Sequence, residues 1–483
     1  MNYKMVFYII GKILFSVGII MAAPLLCAII CAEPVLPFLV PIAICLLVGF
    51  ALSGKRPENR RMLARDGFVS VGLSWIALSL AGCLPYIISG AIPDFVNAFF
   101  ESVSGFSTTG ATVIVDVEVQ TKSILLWRSL TQWLGGMGVL VFFLAIIPRS
   151  DSRTTNFMHL MRAEVPGPTV GKLVARISDT ARVLYGIYIL LTFVEFLFLL
   201  FGEMNVFESL CHALSTGGTG GFGIKNDSVV SYSVYSQYVI AVFMLVFGTN
   251  LSLFYLIMLG HVLKAFKNEE FRWYLAIVTA ATLGLFLCIL PTLDSGELAF
   301  RQALFQVASI ISTTGFANAD FELWSSCAHF IIILLMFIGG CVGSTAGGIK
   351  VSRILLLAKN GTREVKFIAH PRAVLTVKAE GKTVDHETVR GTTSYIIMFA
   401  ALFVVSALVV TAVENCDLVT AFSSVATCLN NVGPGLGEIG PTDNFAHLAS
   451  PTKLILCFNM LAGRLELFPM LILFSPSTWK KYS

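Results

Sequence analysis

Charged residues are scarce in this chain, and their scarcity excludes a soluble globular fold. Of the 483 residues, 13% are charged and 56% are hydrophobic, and the mean hydropathy is +0.81. A soluble domain carries about 25% charged residues, so most of the surface must face lipid or other apolar helices. We therefore predict an all-α polytopic membrane protein.

Signatures of enzymes and of cofactor binding are missing as well. The 11 cysteines form neither a CxxC pair nor a cluster with histidine, so we expect no disulfide and no structural metal. No GxGxxG motif follows a predicted strand and no GxxxxGK[ST] motif is present, which indicates that the chain binds no nucleotide by itself. No nucleophile–base pair or HExxH motif accompanies the 7 histidines. The chain is predicted to hold no cofactor and not to be an enzyme.

Long apolar runs are abundant instead. A helix needs about 20 predominantly apolar residues to cross a bilayer. Ten runs of this kind lie near residues 6–31, 35–53, 68–91, 123–147, 182–202, 233–263, 272–291, 327–357, 392–413 and 453–474. The first run lacks a convincing cleavage site, so we interpret it as a retained helix rather than a signal peptide. The sequence thus predicts ten transmembrane helices.

Basic residues lie between these runs in a regular alternation. Most of the 33 Lys and Arg residues fall in the segments 1–12, 54–66, 148–182, 264–272, 350–390 and 480–481. The positive-inside rule makes these segments and both termini cytoplasmic, as expected for a multi-pass protein of the cytoplasmic (inner) membrane, in contact with its lipid. The net charge of +4 then reflects a basic inside and an acidic outside. It predicts no nucleic-acid partner, and the acidic outer face would concentrate cations.

A hydroxyl-rich phrase recurs between the apolar runs. SGFSTTGATV begins at Ser104 and SIISTTGF at Ser309. Four related pieces cover residues 97–112, 207–223, 302–318 and 420–437 and align on Gly110, Gly220, Gly315 and Gly433. Six positions upstream stand Ser104, Leu214, Ser309 and Thr427, so the second piece matches least well. Four pieces in register argue against ordinary extracellular turns.

Each piece is preceded and followed by a spanning run, so the repeated unit is helix, short pore helix, loop, helix. Two extra transmembrane helices occupy residues 1–57. The four units cover 67–148, 181–264, 272–358 and 391–476, the third with a broken second helix. The expected fold places four helix–pore-loop–helix repeats around one pseudo-fourfold pore.

The loop of each unit is suited to a cation. A short helix that ends midway through the membrane points its negative dipole end at the membrane centre. Glycine at the aligned position permits the positive φ that directs a carbonyl oxygen towards an axis, and rings of carbonyls can replace the hydration shell of an ion. No carboxylate lies within the aligned loops, and divalent cations prefer carboxylate oxygens. A monovalent cation is therefore expected.

Glycine also interrupts the apolar run 327–357. Gly339, Gly340, Gly343, Gly347 and Gly348 fall within ten residues, and each glycine costs a helix about 1 kcal/mol relative to alanine. We expect an intramembrane loop that obstructs the conduction path and moves to open it. Close helix packing of the small-xxx-small kind is the alternative.

Arg464 is predicted to lie well inside the last apolar run. An arginine at this depth is costly and indicates function. We expect it near the pore axis, where its charge would repel a cation. A structural ion pair with Glu466 is the alternative, although i,i+2 spacing directs the two side chains to different helix faces.

The motifs SGFSTTGAT, STTGF, LNNVGPGLG and AGRLELF resemble those of the Trk/Ktr/HKT superfamily of potassium translocating subunits. The two leading helices and LWRSLTQWLGGMG at 126–138 resemble its TrkH-like branch. The resemblance implies one constricting glycine per repeat and a potassium-binding filter of backbone carbonyls. By position, the filter comprises Thr108, Thr109, Gly110, Thr219, Gly220, Gly221, Thr314, Gly315, Phe316, Asn431, Val432 and Gly433.

The resemblance also implies a gate, a preference and partners. The gate comprises Gly343, Ser344, Thr345, Ala346, Gly347 and Arg464. Family members that pass sodium readily tend to carry serine at the first filter position, so Gly110 implies potassium preference. The expected partners are a second copy of the chain, in a homodimer, and a cytosolic nucleotide-binding regulatory ring of the TrkA-like kind.

Potassium uptake is the function that these features predict. A proton- or sodium-coupled secondary transporter of the same ion or of a small solute is the alternative. Fourfold rather than twofold repetition, and the near absence of acidic residues within the spans, argue against a coupled transporter of a larger solute.

Overall fold

The computed structural model describes residues 1–55, 57, 62–138, 177–373 and 375–479. This part of the chain is mostly α-helical, and its sheet is a two-stranded antiparallel hairpin in which β1 (Lys378–Ala379) pairs with β2 (Lys382–Thr383). The described helices of the first third are α1 (Tyr3–Ile20), α2 (Ala22–Ile30), α3 (Leu36–Ser53), α4 (Ala64–Gly82), α5 (Leu84–Ser89), α6 (Phe95–Phe106) and α7 (Lys122–Gly136).

The remaining helices continue in the same order. They are α8 (Ile177–Leu200), α9 (Val206–Gly218), α10 (Val234–Phe247), α11 (Leu251–Met258), α12 (Val262–Phe266), α13 (Glu269–Ile289), α14 (Gly296–Ile311), α15 (Ser326–Phe337), α16 (Val351–Ala369), α17 (His386–Val413), α18 (Leu418–Asn430), α19 (Ser450–Arg464), α20 (Phe468–Phe474) and α21 (Pro476–Trp479). Short 3₁₀ turns at Leu290–Thr292 and Phe321–Leu323 flank α14.

Six helical stretches in the described residues are long and apolar enough to cross a membrane. They are Tyr3–Ile30, Leu36–Ser53, Ala64–Ser89, Thr180–Leu200, Glu269–Thr292 and His386–Val413. The pair α10 and α11, bent by 93°, makes a seventh if it is counted as one span. The chain is thus a multi-pass membrane protein, and the count of ten spans stays a prediction.

The other predicted spans are interrupted or leave the described part of the chain. The run 327–357 contains α15 and the start of α16, with no helix over 338–350. The run 453–474 is divided between α19 and α20. The run 123–147 begins with α7, but its end lies outside the described residues, as does the end of the first predicted repeat. Parts of the basic segments 54–66 and 148–182, and the whole of 480–481, also lie outside the described residues.

Four shorter helices, α6, α9, α14 and α18, precede the repeated loops. Three of them begin at a side chain that accepts a hydrogen bond from a backbone N–H of the first turn, which is otherwise unsatisfied. Asp94 accepts from Asn97 at 2.9 Å, Asn205 from Glu208 at 2.9 Å, and Asp417 from Thr420 at 3.1 Å. The caps fix where these three helices start.

Candidate functional site: four loops that contact one another in a ring

The four loops share one backbone geometry. In each, a residue in the left-handed conformation closes the short helix and is followed two residues later by a glycine with positive φ. The left-handed residues, with φ between 55° and 57°, are Thr108, Thr219, Thr313 and Asn431, and the glycines, with φ between 76° and 109°, are Gly110, Gly221, Gly315 and Gly433. We refer to these four as the ring glycines.

The ring glycine of the second loop is Gly221, so the predicted alignment on Gly220 is wrong by one residue. Backbone hydrogen bonds show the same correspondence, because in every loop the residue before the ring glycine donates its N–H five residues back. The pairs are Thr109 to Ser104 (2.9 Å), Gly220 to Ser215 (2.9 Å), Thr314 to Ser309 (2.8 Å) and Val432 to Thr427 (2.9 Å).

A sequence signal for this register was present. With Gly221 as the reference, the residue six positions upstream is Ser215 instead of Leu214. All four loops then carry a hydroxyl residue at this position, and the second loop no longer matches less well than the others. The adjacent glycines of TGGTGGFG concealed the shift.

The ring glycines bring the loops into contact in cyclic order. A Cβ at Gly110 would lie 2.2 Å from the carbonyl oxygen of Gly220 in loop two. The corresponding distances are 2.1 Å from Gly221 to the Thr314 oxygen, 2.2 Å from Gly315 to the Val432 oxygen and 2.7 Å from Gly433 to the Thr109 oxygen. Real Cβ atoms do not approach an oxygen this closely. Glycine is therefore required at each of these positions for two reasons. It adopts the positive φ, and it has no Cβ atom to collide with the backbone of the neighbouring loop.

A single cavity reaches all four ring glycines. Its lining comes from all four loops and from the segments that follow them, including Thr112, Phe222, Ala317 and Phe445. Because one cavity touches every loop, the loops surround a common space rather than lying apart.

Acidic residues flank this cavity on the side that the sequence analysis predicts to be outer. Asn226, a cavity residue, donates its side-chain N–H to the Asp116 carboxylate at 2.9 Å. Asp443 also lines the cavity. The hydrogen bond from Asn226 lowers the pKa of Asp116. Hydrogen bonds to the charged form keep such carboxylates ionised.

The predicted site residues that carry side chains in the loops are buried, and some of them make contacts beyond their own loop. Asn431 donates from Nδ2 to the Thr109 hydroxyl at 3.0 Å, which joins loop four to loop one. The Phe316 ring stacks on His212 of α9 with 5.6 Å between ring centroids. Hydroxyl pairs lie at equivalent places in two loops, Ser107 with Thr109 at 2.7 Å and Ser312 with Thr314 at 2.6 Å.

A buried ion pair behind the loops was not anticipated from the sequence. Glu101 on α6 is fully buried and accepts from Arg128 on α7 at 2.9 Å. Glu101 also accepts from the backbone N–H of Val113 at 2.9 Å, and Arg128 donates to the Gly223 carbonyl at 3.1 Å. The pair therefore connects the segments that follow loops one and two. Its sequence signal was the pair of polar side chains, Arg and Gln, in LWRSLTQ.

Five of the six predicted gate residues, 343–347, lie in the non-helical segment 338–350, which we call the break loop. Its backbone bonds to the interruption between α10 and α11, where the Leu251 N–H donates to the Gly343 carbonyl at 3.1 Å and the Thr345 N–H donates to the Phe247 carbonyl at 3.3 Å. The Gly347 N–H donates to the Thr313 hydroxyl of loop three at 2.6 Å. The break loop thus contacts loop three just after the end of α14.

Arg464, at the end of α19, contacts the break loop from another side. Its guanidinium donates to the Thr345 carbonyl at 2.7 Å and to the carbonyls of Gly135 and Gly136, at the end of α7, at 2.5 and 2.6 Å. Glu466, the alternative partner considered from the sequence, forms an ion pair with Arg353 of α16. Arg464, Ser344, Ala346 and the other predicted gate residues are thus brought together in one region.

Comparison with known proteins gives consistent matches over nearly the whole chain. The family model described as "TrkH: Cation transport protein" matches residues 38–481. The Trk system potassium uptake protein TrkH of Salmonella typhimurium is 39% identical over 88% of this chain and 88% of its own length. The protein of the same name from Vibrio parahaemolyticus is 37% identical over 99% of this chain and 100% of its own length.

A solved structure agrees with these matches. The crystal structure of the potassium transporter TrkH from Vibrio parahaemolyticus superposes with a TM-score of 0.90 at 35% sequence identity, over 99% of this chain and 100% of the other. Identity, coverage and fold point to the same conclusion: this chain belongs to the TrkH family of cation transport proteins.

Proposed function

We propose that this chain mediates potassium uptake across the cytoplasmic membrane, through one filter formed by its four loops. The observation that carries the proposal is the cyclic contact of the ring glycines with the carbonyl-bearing backbone of the next loop. Relatives at 37–39% identity are named potassium uptake proteins, which supports potassium as the substrate.

The chemistry of the filter follows from its composition. Potassium would be held by backbone carbonyls of Thr108, Thr109, Gly110, Thr219, Gly220, Gly221, Thr314, Gly315, Phe316, Asn431, Val432 and Gly433. The short helices α6, α9, α14 and α18 end at these loops, so the negative ends of their dipoles favour a cation there. The acidic residues near the cavity raise the local cation concentration at its mouth.

The break loop and Arg464 form the gate in this proposal. Arg464 donates both to the Thr345 carbonyl and to the end of α7. It therefore holds the break loop against the first of the four predicted repeats. Its charge also opposes the passage of a cation. Movement of the loop away from Arg464 would open the path.

The proposal includes ten spans with both termini cytoplasmic, a homodimer, and a cytosolic nucleotide-binding ring as regulator. The ten spans and the orientation are supported by the alternation of apolar runs and basic segments. The partners come from the family resemblance, and the names of the relatives refer to a Trk system. Catalysis of a chemical reaction is not part of the proposal.

Flux and reversal potential in liposomes test the function. Purified chain should carry rubidium or potassium without any added organic solute, and Gly315→Val should abolish this flux. Reversal potentials in mixed potassium and sodium, with and without a pH gradient, distinguish a passive filter from the coupled alternative. A reversal potential that follows the pH gradient supports proton coupling, and flux unaffected by Gly315→Val contradicts the filter.

A further inference from the structure

We propose that Gln132 is a positioning residue that sets the direction of the Gly220 carbonyl and thereby tunes the discrimination between potassium and sodium. This inference rests on the proposed filter. It starts from the way in which loop two differs from the other three loops.

The residue before the ring glycine carries a β-branched side chain in three loops but none in the second. These residues are Thr109, Thr314 and Val432, whereas loop two has Gly220. The Gly220–Gly221 peptide lies between two residues without Cβ atoms, so its plane can rotate more freely than in the other loops. Something outside the loop must hold it.

The side chain of Gln132 occupies the place of the missing side chain. A Cβ built on Gly220 would lie 2.3 Å from Cδ, 2.6 Å from Cγ and 2.7 Å from Cβ of Gln132. The glutamine comes from α7, 88 residues away in sequence, and it fills the volume that threonine or valine fills elsewhere. The glycine in loop two is therefore a steric requirement of Gln132.

The amide of Gln132 satisfies polar groups on both sides of the peptide. Its Nε2 donates to the Gly220 carbonyl at 2.6 Å, and its Oε1 accepts from the Phe222 N–H at 3.0 Å and from the Ser215 hydroxyl at 2.5 Å. A carbonyl oxygen has a second lone pair, so the bond fixes the direction of the Gly220 oxygen while one acceptor site stays available. Since this oxygen is the one that faces Gly110, its direction sets the spacing of loops one and two.

The test is the sodium-to-potassium permeability ratio of the full chain in liposomes. Gln132→Met keeps the volume but removes the donor and acceptor, so the Gly220 carbonyl loses its orientation. We expect the ratio to rise about fivefold, the effect of one lost hydrogen bond. Gln237→Met is the matched control, because Gln237 is also buried and donates to backbone carbonyls of Val229, Val230 and Tyr232 away from the ring glycines. Its ratio should equal that of the wild type.

A reciprocal exchange adds a rescue that a merely structural role would not give. Gly220→Thr alone should lose flux because the new side chain meets Gln132. The double variant Gln132→Gly with Gly220→Thr recreates the arrangement of loops one and three, and it should recover both flux and a ratio nearer to the wild type than that of Gln132→Met.

Two results would overturn the inference. One is a wild-type ratio in folded Gln132→Met, and the other is a double variant no better than Gly220→Thr alone. If no Gln132 variant folds, Ser215→Ala is the variant to measure. It removes the hydroxyl that donates to the Gln132 side-chain oxygen and should raise the permeability ratio about twofold. An unchanged ratio then refutes the role of Gln132. Loss of flux in Gly315→Val together with a wild-type ratio in Gln132→Met would reject this inference alone, whereas intact flux in Gly315→Val would reject the filter itself.

Discussion

The ring loops and the breaks in the helices that follow them belong to the same repeated unit, yet their copies agree to different degrees. At the ring, four loops share left-handed residues, positive-φ glycines and a backbone hydrogen bond five residues back. At the breaks, α7 ends at Gly136, α10 and α11 bend by 93°, α15 and α16 are separated by the break loop, and α19 ends at Arg464. The proposed filter would need four matching loops around one ion, whereas the proposed gate would need unlike segments that can move relative to one another.

Replacing a ring glycine should have the largest effect. In Gly221→Ala the new Cβ would lie 2.1 Å from the Thr314 oxygen, at a residue with φ of 76°. We expect potassium flux in liposomes to fall to the background of empty vesicles. Gly223→Ala is the matched control two residues on, because its Cβ would have no neighbour closer than 3.4 Å, and it should keep its flux. Equal flux in the two variants would contradict a potassium filter at the ring glycines.

Breaking the ion pair behind the ring should have the next largest effect, on stability. Arg128→Met leaves the Glu101 carboxylate buried without its partner, and such a loss costs about 3–5 kcal/mol. Unfolding of the detergent-solubilised protein measures it. Arg363→Met removes a pair whose Glu364 side chain is 53% exposed, so it should cost less than about 1 kcal/mol. Similar losses in both variants would mean that the buried pair contributes nothing beyond a surface pair.

Deleting residues 343–347 should act in the opposite direction on flux. The deletion removes the contacts of the break loop with Arg464 and with Thr313, so uptake should rise about tenfold, the effect of lowering a barrier by ~1.4 kcal/mol. Ser344→Ala keeps the break loop and removes only a hydroxyl that bonds within it, to the Cys341 carbonyl at 2.6 Å, so it should raise uptake much less than the deletion. Unchanged flux in the deletion would refute the gate.

Arg464→Ala should give a smaller increase in leak, about threefold, because one hydrogen-bonding side chain is lost while the break loop remains. Arg464→Lys should fall between the wild type and alanine, since an ammonium lacks the planar fork that reaches several carbonyls at once. Single-channel or vesicle leak measurements distinguish these variants. A leak in Arg464→Ala larger than that of the deletion would show that the arginine, rather than the loop, is the main barrier.

Much of the ring could be predicted from the sequence because its signals are local. A hydroxyl residue six positions before a glycine and apolar runs on both sides lie within one unit. These features repeat, so three of the four loops were placed in the right register. The five glycines between Gly339 and Gly348 also predicted that this apolar run would be interrupted, and residues 338–350 are non-helical.

The partners of Arg128, Gln132 and Arg464 could not be predicted in the same way, and the register of loop two was missed although a local signal for it was present. Gln132 meets Gly220 across 88 residues, and Arg464 meets Thr345 across 119 residues. In loop two the adjacent glycines concealed the local signal, which is the hydroxyl of Ser215 six positions before Gly221. In the structure, the side chain of Gln132 from another helix packs where a side chain on Gly220 would lie.

Composition and periodicity by themselves determined that this chain is a helical membrane protein, and the recurring loop motif predicted a fourfold repeat, because apolarity and turn chemistry act over a few residues and need no partner. The tertiary structure decided which glycine faces its neighbour, which carboxylate pairs with Arg353, and which carbonyls Arg464 reaches. These choices depend on packing and on hydrogen bonds between segments far apart in sequence, whose distances are fixed when the helices assemble.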